Sequence, residues 1–429
     1  MIPTIIIASI TFISVTLSIL FFPRVKVGRF YISTYWVIAL IGAIVLLSFQ
    51  YAPIGEVFKE LTSNTSINPL KIIVLFFSMT CISIFLDEVG LFKYLANVAA
   101  SKAKNNQYAL FTIFYVLTAT LTIFTSNDIV ILTFTPFICF FCKNSKISPI
   151  PYLVAEFCAA NTWSLMLIIG NPTNIYLATS ANINFFDYFK VMAIPTITCG
   201  LVEYGLLLLI FHRKLKETLN VTIEDYHIDN KVALFVGLGH LLTCLVFLVI
   251  SSYIHVEMWI ISLSCAVSLL LFALILSLIT KKDWNHLTGS LKKLPYPLIP
   301  FFLSMFMVVV ALNHQGISQE LVKLLGNSNY IWTYGYSSFL TCNLINNIPM
   351  SILFSNMCHN NLSVFASIVG SNIGAFLTPI GALAGIMFTN LVNEHDTKYS
   401  FLDFVKYGVI VSLPIITIAL GMLLITINF

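Results

Sequence analysis

LTIFTSNDIVILTFTPF, residues 121–137, and LTCNLINNIPMSILF, residues 340–354, are the two stretches that decide how this chain folds. Each is a hydrophobic run interrupted by polar residues. The first breaks at Thr125, Ser126, Asn127 and Asp128, the second at Asn343, Asn346 and Asn347, with Pro349 close behind. Amides and a carboxylate at membrane depth are costly unless they line a cavity or bind something. Interruptions at corresponding places in two halves of a membrane chain point to the midplane substrate site of a secondary transporter.

Composition places both stretches in a bilayer. Of 429 residues, 58% are hydrophobic and only 9% are charged, against roughly a quarter charged in ordinary soluble domains. Apolar runs near the spanning length of about 20 residues recur at 3–22, 31–50, 70–86, 150–180, 189–211, 231–252, 258–280, 296–312, 362–391 and 406–427. The broken segments 108–142 and 330–357 are left over and read as re-entrant hairpins. The first run lacks preceding basic residues and a small-residue cleavage site, so it reads as a retained helix and not a signal peptide. No polar stretch is long enough for a separate soluble domain.

Orientation follows Lys and Arg. If both hairpins return to the face they entered and every other run crosses once, 18 basic residues fall on one face, from Arg24 to Lys406, and 4 on the other: Lys59, Lys71, Lys190 and Lys323. That asymmetry predicts ten crossings with both termini outside. All nine cysteines sit in or beside apolar runs, where a thiol behaves as a small hydrophobe. The C-x-x-C of Cys139 and Cys142 has no second pair and reads as packing. No metal site and no cofactor are expected.

The two halves match in order. FLDEVGLFKYLANVAASK after Ile84 aligns with ALNHQGISQELVKLLGNS after Val310, setting Gly90 against Gly316, and each predicts a short interfacial helix. Asn127 aligns with Asn346, Asp128 with Asn347, Asn161 with Asn372 and Gly170 with Gly381. Five crossings and one hairpin per half is an odd count, so the halves are inverted. The expected organisation is an all-α polytopic protein with a first inverted repeat at 1–211 (hairpin 108–142, broken helix 150–180). A cytoplasmic linker covers 212–230, and the second repeat covers 231–429 (hairpin 330–357, broken helix 362–391).

Four clusters are candidates for chemistry. At the hairpin tips, Ser126, Asn127, Asn346 and Asn347 can cap the half-helices that follow and offer amides to a ligand. The third cluster, LMLIIGNPTNIYLA, contributes Asn171, Thr173 and Asn174. The fourth, GAFLTPIGALAG, contributes Thr378, Pro379 and Gly381. The competing reading is that these residues only cap or kink helices, and the symmetry of the two tips weighs against it. Asp128 is the carboxylate at a tip, and a carboxylate in low dielectric welcomes a proton or sodium ion. Glu156 is the next candidate for the coupling ion. Glu203 is expected to face a polar neighbour or an interface, and Asp87 and Glu88 to cap the helix after Gly90.

LDEVGLF, TSNDIVILTFTPF, GNPTNIYLA, NNIPM and TPIGALAG, in this order, resemble the signatures of the ion transporter superfamily, and within it the arsenite permease ArsB and its NhaD and CitM relatives. The resemblance implies an elevator-type fold, usually dimeric, with substrate and coupling ion held at the hairpin tips and broken helices. It also implies a multi-pass protein of the bacterial plasma membrane. The tips, SND and INN, lack the paired Ser-Asn-Thr of sodium–dicarboxylate carriers, and no arginine lies within a proposed span to hold a multivalent anion. A small neutral polyhydroxyl such as arsenious acid fits better, so the expected activity is arsenite and antimonite efflux by proton antiport. Carriage of citrate, a dicarboxylate or sulfate, or Na+/H+ antiport, is the alternative within the superfamily. A membrane enzyme or scaffold is the alternative outside it, but no nucleophile–base constellation supports one. There is no P-loop, so an ion gradient or a separate ATPase subunit would drive transport. The lipid bilayer is the expected surrounding, and no nucleic acid partner is expected.

Overall fold

The structure is a computed structural model describing residues 1–22, 24–27, 30–63, 68–103, 106–217, 227–251, 253–280, 285–326, 329–395, 397 and 399–427. Arg29, Lys104, Lys281, Lys282, Lys398 and residues 218–226 of the expected linker lie outside the described residues.

Twenty α-helices account for most of the described residues. The first ten are α1 (Ile2–Phe21), α2 (Thr34–Ser48), α3 (Ile54–Thr62), α4 (Pro69–Glu88), α5 (Leu91–Ala103), α6 (Gln107–Phe124), α7 (Asn127–Asn144), α8 (Ile150–Trp163), α9 (Pro172–Ser180) and α10 (Phe185–Phe211). The second ten are α11 (Lys231–Ile250), α12 (Met258–Thr280), α13 (Asn285–Lys292), α14 (Leu298–His314), α15 (Ile317–Leu325), α16 (Tyr330–Ile345), α17 (Asn347–Ser355), α18 (Asn361–Gly374), α19 (Leu383–Glu394) and α20 (Phe401–Thr426). Long, short and broken helices recur in the same order in both series. The expectation of a span over 31–50 is corrected at its start. Strands β1 (Arg24–Val27) and β2 (Phe30–Ser33) form an antiparallel ribbon there, so the helix begins at Thr34.

Among the described residues, seven helices are long and apolar enough to cross a membrane, and α14 with α15 makes an eighth if the bent pair counts as one. α6, the first arm of the first hairpin, is one of the seven. The lipid-facing character shows in exposure: α11 and α12 carry exposed Phe235, Leu242, Leu271 and Ile279, while α8 and α18 are buried almost throughout. The core therefore sits around the broken helices.

Two glycines explain the turns into α5 and α15. Gly90 and Gly316 have φ of +91° and +74°, the left-handed region that a Cβ disfavours. After Gly316 the chain bends by 78° from α14 into α15. Each half reaches into the other: α2 packs on α14, α12 on α4, α10 on α20, α7 on α19 and α17 on α9. Asp87 and Glu88, expected to cap α5, also have a distant partner. They pair with Lys293 at 3.3 and 2.6 Å, tying the end of α4 to the loop after α13. At the end of α14, His314 pairs with Glu56 of α3 at 2.8 Å.

Orientation has a direct check. Lys216 and Lys59 are both exposed, on faces that the basic residues assign to opposite sides. In a cysteine-free background, Cys at 59 should label with an impermeant maleimide in intact cells, and Cys at 216 only after the membrane is opened. Ready labelling of 216 from outside would overturn the orientation.

Candidate functional site

Both hairpins and both broken helices bring their breaks into the buried core. α6 and α7 join at Thr125 and Ser126; α16 and α17 join at Asn346, which adopts φ of +73°. The Asn346 side chain caps α17 by accepting from Ile348 N at 3.3 Å and donates to Ile380 O at 3.0 Å in the break between α18 and α19. Asn343 donates to Gly374 O at 2.9 Å and accepts from Thr378 Oγ1 at 2.7 Å. The second tip is thus stitched to the fourth cluster, which contains Pro379 and Gly381. A Cβ on Gly381 would lie 2.8 Å from both Asn343 Oδ1 and Gly374 O, too close to fit.

The first tip is built differently. Ser126 stands at the cap of α7, but its side chain makes no cap bond, and its buried Oγ has no partner. The expected cap by Ser126 is corrected accordingly. Asn127 Oδ1 accepts from Asp128 N at 2.9 Å, and its Nδ2 donates to Asn161 Oδ1 of α8 at 3.1 Å. By cap position Ser126 corresponds to Asn346 and Asn127 to Asn347, a shift of one residue from the sequence alignment. Asn347 Oδ1 is buried without a partner.

The third cluster closes on itself and on the other half. Asn171 Oδ1 accepts from Thr173 N at 3.1 Å and from Thr173 Oγ1 at 3.0 Å, capping α9. Asn171 Nδ2 and Ser164 Oγ both donate to Asn372 Oδ1 of α18, at 3.0 and 2.8 Å. Asn372 Nδ2 donates to Asn174 Oδ1 at 2.7 Å, and Asn174 Nδ2 reaches Ser164 O at 2.8 Å. All of these residues are fully buried. The break between α8 and α9 folds back tightly, so a Cβ on Gly170 would meet Ser164 O at 2.2 Å. The sequence aligns Asn161 with Asn372 but does not place them, Ser164 or Ser371, whose Oγ lies 3.3 Å from Thr173 Oγ1, in the site. Their polar type within apolar runs is the signal that could have found them.

Asp128 faces a cavity of about 350 Å³, lined also by Tyr35, Thr80, Ile129, Asn390, Arg24 and Lys293. Arg24 pairs with Glu394 at 3.5 Å and Lys293 with the acids of α4, so each basic group of the cavity has an acidic partner. Among the described residues no arginine lies within an α-helix, and Arg24 lines the same cavity as Asp128. A second cavity of about 440 Å³ is lined by Glu56, Lys59, Glu60, Tyr176, Asn313, Ile352 and Asn356. The first draws on α4, α7 and α19, the second on their counterparts α14, α17 and α9. The second meets α17 at Ile352 and Asn356, away from the tip at Asn346. Phe76 and Phe302, spaced like Gly90 and Gly316, lie with Pro172 and Ile348 around a small apolar gap.

Glu156 is buried on α8, where Oε1 accepts from Thr135 Oγ1 at 2.9 Å and Oε2 has no partner. Asp128, on α7, and Glu156 are therefore separate features of the first half.

An all-helical membrane bundle whose two halves each contribute a polar-tipped hairpin and a broken helix to one buried core is the architecture of a secondary transporter. A family model described as citrate transporter (CitMHS) matches residues 29–364, and the chain belongs to that family, within the ion transporter superfamily. It is a multi-pass cell-membrane transporter and not an enzyme. It is 25% identical to the arsenical pump membrane protein of Escherichia coli K12, over 82% of this chain and 86% of that protein. It is 24% identical to a 46 kDa membrane protein of Mycobacterium leprae, over 89% and 91% of the two chains. The crystal structure of the Alcanivorax borkumensis YdaH transporter, described as having an unusual topology, shares the fold. It superposes with a TM-score of 0.54 at 14% identity, covering 100% of this chain and 98% of that one.

Proposed function

We propose that this ArsB-like transporter exports arsenite and antimonite in exchange for protons. The observation that carries the reading is the carboxylate of Asp128 beside the first hairpin tip, facing a cavity whose basic groups are already matched by acids. A neutral trihydroxy solute enters such a cavity without displacing an ion pair. A multivalent anion would have to break the Arg24 or Lys293 pairs to find a counter-charge. The ligand is held by Ser126, Asn127, Asn347 and the helix ends around them. Ser126 Oγ and Asn347 Oδ1, both without partners, are the groups with bonding capacity to spare. Asn171, Thr173, Asn174, Thr378, Pro379 and Gly381 shape and brace the two breaks from behind.

In the same reading, residues 1–211 and 231–429 are inverted repeats, supported by the matched helix order and by Gly90 and Gly316. By resemblance the proposal extends to a homodimer and a separate ATPase subunit.

The test is substrate-resolved. Everted vesicles carrying a pH-sensitive dye should release protons on addition of arsenite or antimonite, and not on addition of citrate or sodium. Proton movement with citrate alone would overturn the assignment. A second expectation concerns the tips. Asn127→Ala and Asn346→Ala should each remove most uptake, by about tenfold or more, from protein that still purifies as a folded species, because each amide stands at a hairpin tip where the solute is held in this reading and not only where helices are joined. Near-normal uptake in both variants would show that the amides only hold helices together.

A further inference from the structure

Glu203 lies on α10, wholly buried, and has no part in the function proposed above. It is surrounded by groups from three helices. Thr162 Oγ1 of α8 donates to Oε2. The hydroxyl of Tyr115, on α6, lies 3.0 Å from Oε1. The other titratable groups near it are Cys158 of α8 and Cys199 of α10 itself, whose thiol turns to Ile415 O of α20. Among the described residues, no cationic side chain from α6, α8, α11 or α20 pairs with it.

The hydrogens around Tyr115 can be counted. Its hydroxyl has one hydrogen and three polar neighbours: Gly200 O at 2.7 Å, Glu203 Oε1 at 3.0 Å and Trp163 Nε1 at 3.2 Å. The carbonyl can only accept and the indole can only donate. With the hydroxyl hydrogen on the nearer acceptor, Gly200 O, the contact to Glu203 is a hydrogen bond only if the carboxyl supplies the proton. Thr162 donates to Oε2, so the proton is placed on Oε1, the oxygen that faces Tyr115. Every group is then satisfied and no charge is left in the dry interior, where an unpaired carboxylate is heavily penalised.

We propose that Glu203 is a proton site of this transporter, a carboxylic acid that donates from Oε1 to Tyr115 and exchanges its proton with water. When the proton leaves, the hydroxyl hydrogen of Tyr115 turns from Gly200 O to the carboxylate, and the contact to Gly200 loses its bond. The site sits where this matters mechanically. Thr162 follows Asn161, which receives the amide of the first hairpin tip. Trp163 packs so closely on Gly200 that a Cβ there would lie 2.4 Å from its ring. The protonation state of Glu203 thus sets how many hydrogen bonds tie α6 to α10 beside the end of α8. The inference does not depend on Asp128 or on the identity of the substrate.

Infrared spectroscopy of the purified, lipid-reconstituted chain tests it. At neutral pH a protonated-carboxyl C=O band should be present in wild type and in Asp128→Asn, and absent from Glu203→Gln. Raising the pH should convert it to the carboxylate band while the protein stays folded. Tyr115→Phe, which keeps the ring and removes the acceptor, should shift the band to higher frequency, and it carries the test if Glu203→Gln fails to assemble. A spectrum with no band that responds to either substitution overturns the proposal. A band that persists unchanged until unfolding overturns the exchange.

Discussion

Asp128→Asn abolishes proton-driven accumulation of arsenite in everted vesicles while leaving assembly intact. That is the expected result, because the substitution removes the carboxylate that faces the cavity beside the first tip and preserves its shape. The fold does not require a charge there. Asn347 holds the aligned position in the other half, and Ile348 holds it when the helices are matched by their caps. In an antiporter, proton and solute exclude one another at a shared site, so a side chain that cannot ionise leaves nothing to couple. Solute should still equilibrate down its own gradient, with uptake that no longer responds to pH. A variant that still builds a gradient with unchanged pH dependence would move coupling to Glu156, the other buried candidate, whose Oε2 has no partner.

Asn372→Ala is expected to be the most damaging single truncation of an amide in the core. One side chain joins α18 to Ser164, Asn171 and Asn174 of the other half. Three interhelical bonds, at an average of roughly 0.6 and at most about 1.7 kcal/mol each, give a loss of about 2 and at most about 5 kcal/mol. Thermal unfolding in detergent should therefore fall well below wild type, and below Asn127→Ala, which gives up a single interhelical bond. An unfolding midpoint equal to wild type would mean that the two halves are held together by apolar packing alone. The comparison separates bracing from binding: Asn372 should cost stability first, Asn127 transport first.

Much of this was legible in the residues. The α-helix breaks at 125–126, 164–171, 346 and 375–382 overlap or adjoin the stretches where Ser, Asn, Gly and Pro interrupt apolar runs, and the left-handed turns fall on the glycines that align. The β1–β2 ribbon was not legible, since Tyr31 and Ile32 read as the start of an apolar span. Asp87 and Glu88 were read as local caps because sequence shows only near neighbours, and Lys293, their partner, lies some two hundred residues away.

The sequence by itself determined that the chain is a helical membrane protein and where its spans break. Hydrophobicity over about 20 residues selects the bilayer, and backbone groups freed at a break demand polar residues beside it. Only the tertiary structure decided which of those polar residues are already satisfied. An asparagine side chain can donate or accept in several directions, so its type cannot say whether it faces a partner or a cavity. Packing of α18 against α8 and α9 assigned Asn171 and Asn174 to Asn372, and the arrangement of α4, α7 and α19 left Asp128 facing open space.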